Sequence, residues 1–390
     1  MTLPNSNWNY PTSVWFGNGR IQELPQACAQ LNMKNPLFVT DSGLADLPIV
    51  TDSLAIVRAA GLGTALYSNV AGNPNDEHVM KGVAAYHAGN HDGVIAFGGG
   101  SGLDAAKAVA LMVGQDGEIW DYEDVGDNWT RVNVDGVAPI IAVPTTAGTG
   151  SEVGRASVIT DEVKHSKKVI FHPKMLPQIV ILDPELTVNL PPNLTAWTGV
   201  DALVHAVEAY CAPGFHPMAE GIAIEAIRMI VKHLPTAVEN GQDLEARGNM
   251  LVAAAMAATA FQKGLGSIHS IAHQLGAIYH QQHGLVNAII LPYGLKQNAD
   301  VIEARMAHLC LVLGIEDQST QGFVNYVLAL RQRLGIPQTL ADIGIDTEQA
   351  EVIGEMALVD PSTPTNAKPV TAKDLQLLFE CAVNGDYDSL

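Results

Sequence analysis

Short uninterrupted apolar runs alternate with segments of helical spacing through the first half of the chain. Residues 36–40, 65–70, 93–97, 139–143 and 178–182 are of strand length and end at turn residues, the pattern of strands covered on both faces. Residues 76–86 and 103–112, among others between these runs, space their apolar side chains as helices do. The alternation predicts an α/β domain with a Rossmann-like parallel sheet over residues 1–186. Residues 158–161 and 167–171 read as an inserted hairpin. Beyond Pro191-Pro192 the periodicity changes to that of helices alone. Residues 195–211, 217–234, 243–261, 267–279, 301–313, 318–334 and 371–383 predict an all-α domain over residues 187–390, with a cleft expected between the two. The last helix opens on Thr371-Ala-Lys-Asp374, a capping box with Asp in the place of Glu.

Composition narrows the class. At 390 residues and 47% hydrophobic content the chain is ample for two or three packed domains. Twenty-one Lys and Arg against 41 Asp and Glu give a formal net charge of -20, which argues against a nucleic-acid partner and against an anionic membrane surface. Cys28, Cys211, Cys310 and Cys381 form no CxxC pair, which fits a reducing cytoplasm rather than a disulfide framework or a thiolate zinc site. The opening MTLPNSNWNY has neither a basic nor an apolar leader region, so no signal peptide is expected. No uncharged apolar run reaches the ~18 residues of a membrane helix.

Two features carry chemistry. The strand at 93–97 feeds Gly98-Gly99-Gly100-Ser101-Gly102 into a helix, and backbone N–H groups at such a helix start make a pyrophosphate cradle. A second small-residue loop, Pro144-Thr-Thr-Ala-Gly-Thr-Gly-Ser-Glu152, follows another strand, as a nucleotide at the mouth of an open sheet requires. Asp41, at the end of the first strand, is placed to accept from an adenosine ribose and to repel a 2′-phosphate, favouring NAD over NADP. The other feature is a set of metal-ligand side chains. Asp201 and His205 are four apart on one helix, His269 and His273 four apart on another, and His280 and His283 follow in a turn. One carboxylate among imidazoles suits Fe²⁺ or Zn²⁺ and not Mg²⁺ or Ca²⁺. Spacing alone leaves the choice of histidines open, with His269 and His273 as the default pair. His78, His87, His91, His165, His172, His216, His233 and His308 join no cluster and read as surface or capping residues.

Over nearly its whole length the chain resembles the iron-containing (group III) alcohol dehydrogenases. The resemblance rests on Thr40-Asp41, Asn73-Pro74, Gly98–Ser101 with Asp104 and Lys107, and the 144–152 loop. Thr198-Gly-Val-Asp-Ala-Leu-Val-His205, Ala272-His273-Gln-Leu-Gly276 and His283-Gly284 follow in order. The resemblance implies a dehydroquinate synthase-like architecture and a metal held by Asp201, His205, His269 and His283. It assigns His273 to the substrate and nicotinamide side, in a proton relay. It also implies an NAD site that includes Asp41, Asn73, Gly98, Gly99, Gly100, Ser101, Thr145, Thr146, Thr149 and Lys167, with Lys168 as the neighbouring alternative. The reaction implied is reversible hydride transfer between a small alcohol and NAD, in a protein that is a homodimer as relatives usually are.

Departures from the family pattern mark where this chain is its own case. Gly102 and Gln274 stand where relatives often have Pro, and Gln274 is expected to be silent for the chemistry. His280 adds an imidazole able to compete for metal. The aromatic that relatives place nine residues before the first metal histidine is here Ala260, with Phe261 one place along. Lys263 suggests a second reading, a hydroxyacid substrate of the 4-hydroxybutyrate type bound through its carboxylate. A dehydroquinate synthase-like lyase is the more distant alternative, and it is disfavoured by the scarcity of cations. A non-catalytic subunit role is a poor explanation of intact metal and glycine motifs.

Overall fold

The structure is a computed structural model that describes residues 12–164 and 166–390; the opening segment read above for a leader, and His165, lie outside the described residues. The chain divides into two compact units, with Leu190 closing one and Pro191 opening the other.

The first unit holds β1 (Ser13–Phe16), α1 (Leu24–Gln30), β2 (Leu37–Val39), α2 (Pro48–Ala59), β3 (Ala65–Tyr67), α3 (Asp76–Ala88), β4 (Val94–Gly98), α4 (Gly100–Met112), β5 (Ile140–Pro144), β6 (Ala156–Asp161), β7 (Ser166–Phe171) and β8 (Ile179–Leu182). Six strands form one sheet in the order β1-β8-β5-β4-β2-β3, every pair parallel. Every residue of β2, β4, β5 and β8 is buried, which explains why these strands read as unbroken apolar runs. From β2 the chain first moves outward to β3 and then returns to β4 on the other side. That reversal makes a switch point, and the carboxyl ends of β2 and β4 flank it. β6 and β7 form the expected antiparallel hairpin, with Thr160 opposite Lys167 and Ile159 opposite Lys168.

The sequence reading passed over β1, because it is an edge strand with Ser13, Val14 and Phe16 exposed and so has no buried apolar run. It also began α4 at Leu103, whereas the helix starts at Gly100. Glycine is a poor helix former, so propensity hides a first turn built of Gly-Ser-Gly.

The second unit is helical: α5 (Pro192–Cys211), α6 (Pro217–Glu239), α7 (Leu244–Ala260), α8 (Ser267–Ile278), α9 (His283–Gln297), α10 (Ala299–Leu313), α11 (Thr320–Arg333), α12 (Ala350–Leu358) and α13 (Ala372–Asn384). The Thr371 capping box is formed, with Asp374 N–H donating to Thr371 Oγ1 and Thr371 N–H to the Asp374 carboxylate. Helix α9 went unread because Pro292 interrupts it and its apolar residues cover every side; nearly all of it is buried. No single described helix is long and apolar enough to cross a membrane; α7, with the turn after it, and α8 pass only as a pair bent by 108°.

Candidate active site

In the first unit the glycine loop is packed closely against Asp41, Thr146 and Thr149, most tightly at Gly100. Gly98 has φ +138°, a backbone conformation that glycine adopts most readily. A Cβ on Gly98 would lie 3.3 Å from Asp41 Oδ2, and one on Gly102 3.4 Å from the Asp41 backbone nitrogen. One on Gly100 would lie 2.6 Å from Thr149 Cγ2, and one on Gly99 3.4 Å from Thr146 Cγ2. Thr145 N–H donates to the Gly98 carbonyl at 2.9 Å. Asp41, Gly98, Gly99, Gly100, Thr145, Thr146 and Thr149 are thus brought together, with Ser101 in the first turn of α4. Gly99, at the N-cap, supplies no side chain to the helix start, so the dipole end and its N–H groups face outward from the switch point. The Asp41 carboxylate accepts from Gly43 N–H at 3.1 Å, and burial raises its pKa.

The other two positions lie on the hairpin, at Lys167, and beside it, at Asn73. Asn73 adopts a left-handed conformation at φ +58°, and the carbonyl of the next residue, Pro74, accepts from Thr160 N–H at 2.8 Å. Thr160 faces Lys167 across the hairpin, so Asn73 and Lys167 border the same end of it. Lys168 belongs to the opposite, buried face, paired with Glu123 at 3.0 Å and Asp161 at 3.2 Å beneath the Trp120 ring. Its charge is consumed there, which leaves Lys167 as the hairpin lysine of interest. The hairpin is tied to α4 through Asp104, whose carboxylate accepts from Val158 N–H at 2.9 Å and from Ser151 Oγ at 2.5 Å. Lys107, fully buried, bonds the Ser151 and Ala156 carbonyls and Asp104.

Beside Ser151, burial pushes the Glu152 carboxyl from 4.5 up to about 7, although Lys107 nearby works the other way. The fold therefore favours the protonated acid. The contribution of Glu152 to stability is greatest below about pH 4.5 and declines as pH rises to 7, because in the unfolded chain this carboxyl ionises first. At about 1.4 kcal/mol per pKa unit this amounts to about 3 kcal/mol. Glu152→Gln is expected to remove that slope, raising the urea midpoint relative to wild type at pH 8 but not at pH 4. Parallel midpoints across that range would contradict the assignment.

In the second unit Asp201, His205, His269 and His283 each offer a ligand atom, and the four atoms lie within 4.8 Å of one another. Asp201 and His205 come from one face of α5, His269 from α8, and His283 is the first residue of α9 rather than part of a turn. Asp201, His205 and His269 are buried, and the rings of His205 and His269 stack at 4.7 Å between centroids. Burial pushes His269 down to about 4, keeping it in the neutral form a ligand needs. Among the described residues neither His273 nor His280 belongs to this group, so the default HxxxH pairing does not describe it.

Of three residues that the sequence reading left unassigned, two support this group and one supports His273. Glu208, one turn after His205, lies 2.5 Å from His269 Nδ1 and accepts from Ile268 N–H at 2.9 Å, so it both orients the ring and caps α8. Its position in the helix face was the available signal. Asn287, four residues after His283, sets its amide nitrogen 2.7 Å from Asp201 Oδ1, 3.0 Å from His283 Nε2 and 3.2 Å from His269 Nε2. Two amide protons cannot serve three acceptors, a deficit that a divalent cation among these atoms makes good. The donor set, three imidazoles and one carboxylate, fits a borderline metal such as iron or zinc. Phe261, shifted by one from the usual aromatic position, still packs edge-on against His205 at 5.1 Å, because a 3-10 turn over Phe261–Lys263 follows α7.

The third is Asp360, which lies 2.9 Å from His273 Nδ1. Burial would raise its carboxyl, but His273 and the donors of Ser362 outweigh this and hold it below the usual value. Gln274, expected to be silent, also donates to Asp360, at 3.2 Å. Asp360 begins a strap that runs antiparallel to α8. Thr363 Oγ1 and Ser270 Oγ are 2.6 Å apart, Thr365 Oγ1 accepts from Leu265 N–H, and Asn366 Oδ1 accepts from Ser267 N–H. The histidines outside the cluster behave as expected where capping can be seen: His78, His172 and His216 each accept a backbone N–H at a helix start.

Two family profiles cover most of the chain: "Iron-containing alcohol dehydrogenase" matches residues 11–184, and "Fe-containing alcohol dehydrogenase family, C-terminal" matches residues 195–383. The NAD-dependent methanol dehydrogenase of Bacillus methanolicus is 36% identical over 385 residues, 97% of this chain and 100% of the relative. The 4-hydroxybutyrate dehydrogenase of Cupriavidus necator is 36% identical over 381 residues, 95% and 98% of the two chains. The crystal structure of a 1,3-propanediol oxidoreductase superposes with a TM-score of 0.92 at 34% identity, covering 97% of this chain and 100% of that one.

Proposed function

Because the chain belongs to the iron-containing alcohol dehydrogenase family, we propose that it is a metal-dependent, NAD-linked alcohol dehydrogenase. The observation that carries this reading is the group of one Asp and three His ligand atoms within 4.8 Å, with all but His283 buried. Asp201, His205, His269 and His283 would hold Fe²⁺, or Zn²⁺ in its place, with Glu208 and Asn287 orienting them. When bound, the metal supplies a Lewis acid for the alcohol oxygen and NAD⁺ supplies the hydride acceptor. The N–H groups around Gly98, Gly99, Gly100 and Ser101 would bind the pyrophosphate, and Asp41 the adenosine ribose, which favours NAD over NADP. Asn73, Thr145, Thr146, Thr149 and Lys167 would complete the cofactor's surroundings. His273, beside the ligand rings at 5.4 Å from His283, would take the hydroxyl proton and pass it to solvent.

The test is reconstitution. Chelator-treated protein is reloaded with Fe²⁺ or Zn²⁺ and given NAD⁺ with methanol, 1,3-propanediol or 4-hydroxybutyrate. NADH is expected only when metal, cofactor and alcohol are all present. No NADH from any alcohol would overturn the reading.

The hydroxyacid alternative draws support from the Cupriavidus relative but not from Lys263. That ammonium is buried on Glu220 at 2.8 Å and the Tyr210 carbonyl at 3.3 Å, and Arg305 shares both partners. Lys263→Met is expected to lower stability by about 2 kcal/mol. The ratio of kcat/KM for 4-hydroxybutyrate to that for an uncharged alcohol should stay within about twofold. A shift in that ratio beyond tenfold would return Lys263 to the substrate.

A cytoplasmic homodimer completes the reading. The four cysteines are unpaired, and edge strand β1 presents Val14 and Phe16, each nearly half exposed, as surface a second copy would cover.

A further inference from the structure

Resting on the reading of His273 above, we infer that Asp360 is the positioning residue of the reaction: it fixes the tautomer and direction of His273, so that Nε2 accepts the substrate proton. Asp360 Oδ2 lies 2.9 Å from Nδ1 of His273, and a carboxylate there retains the proton on Nδ1 and leaves the Nε2 lone pair unprotonated. The carboxylate is itself fixed on both oxygens. Ser362 N–H donates to Oδ1 at 2.9 Å, and Gln274 Nε2 donates to Oδ2 at 3.2 Å while also donating to the Ser270 carbonyl at 3.1 Å. With Nδ1 turned to Asp360, Nε2 lies on the far side of a ring whose neighbours are the rings of His269 at 5.9 Å and His283 at 5.4 Å. A histidine free to rotate or change tautomer would present a donor to the alcohol in part of the population. Asp360 removes that state. In the forward reaction the alcohol carbon gives a hydride to NAD⁺ and the hydroxyl gives its proton to Nε2. The products are the aldehyde or ketone, NADH and an imidazolium paired with the Asp360 carboxylate, which then releases its proton to water.

The experiment is a cycle of Asp360→Asn, His273→Ala and the double variant, read by turnover, bound metal and imidazole ¹⁵N NMR of Zn²⁺-loaded protein. Asparagine fills the same volume but offers its amide protons to Nδ1, which drives the ring to the Nε2–H tautomer. The analogous change in a Ser-His-Asp triad costs about 10⁴ in kcat, and here we expect a loss of about 10² or more at unchanged metal content. The NMR signal of His273 should move from the Nδ1–H to the Nε2–H pattern. Adding Asp360→Asn to His273→Ala should cost no further turnover. Gln274→Leu, which leaves Asp360 in place, should lose about threefold to tenfold. Full turnover in Asp360→Asn with an impaired His273→Ala would overturn this inference alone, as would a further loss in the double variant or an unchanged tautomer. Wild-type turnover in His273→Ala would instead overturn the reading beneath it.

Discussion

His269→Ala is expected to abolish stoichiometric metal binding and to lower turnover by about 10³-fold or more. The magnitude follows from the several kcal/mol that a Lewis acid contributes to charge stabilisation, each 1.4 kcal/mol being tenfold. Of the four proposed ligands, His269 has the most structure behind it. It is fully buried, is held by Glu208 at 2.5 Å, and has Asn287 at 3.2 Å from its other nitrogen. Alanine removes the ligand and also strips Glu208 of its side-chain partner, although the Ile268 N–H remains on the carboxylate. The checks are elemental analysis of the purified variant and its NADH production with excess Fe²⁺ or Zn²⁺. One equivalent of metal together with near-normal turnover would show that the four atoms within 4.8 Å are not the metal site.

Gly100→Val is expected to raise KM for NAD⁺ by about 10², the equivalent of about 2.7 kcal/mol, while metal content stays unchanged. The first carbon of any side chain at this position falls 2.6 Å from Thr149 Cγ2 and 3.1 Å from its Oγ1. Valine adds two more methyl groups at the start of α4, and they would displace the loop that carries Thr145, Thr146 and Thr149. Gly99→Ala is the control, since its Cβ meets Thr146 at 3.4 Å, an ordinary contact. A Gly100→Val protein with wild-type melting behaviour and unaltered KM would remove the glycine loop from the cofactor site. Equal losses in the two variants would point to loop strain rather than to the Thr149 contact.

How far the sequence could be read depended on whether each signal was local. The buried strands β2, β4, β5 and β8 are apolar at nearly every position, so their existence was plain. Among the described strands edge strand β1 pairs only with β8, and it leaves Ser13, Val14 and Phe16 exposed, so nothing periodic announced it. Asp201 and His205 share a helix face and needed only spacing. The choice between His273 and His283 did not follow from spacing; it came from the family resemblance, since both histidines lie near His269. What separates them is Asp360, 87 residues along the chain from His273. No local pattern links those two residues, and the same distance hid the role of Gln274. Lys263 shows the opposite failure. Its place six residues before His269 suggested the substrate, but folding brings Glu220 and Tyr210 to it from more than forty residues away.

The strap from Asp360 to Asn366 bears on how the second unit opens. Its contacts run from the body of α8, at His273, Gln274 and Ser270, to the start of the helix at Ser267 and to Leu265 just before it. This row of hydrogen bonds couples the strap to the N-terminal half of α8 as one opening unit. In native-state hydrogen exchange the amides of Ser362, Thr363, Thr365 and Asn366 should share a single opening free energy with those of 267–270. A protease cut within the strap would then loosen His269 and His273 in one event.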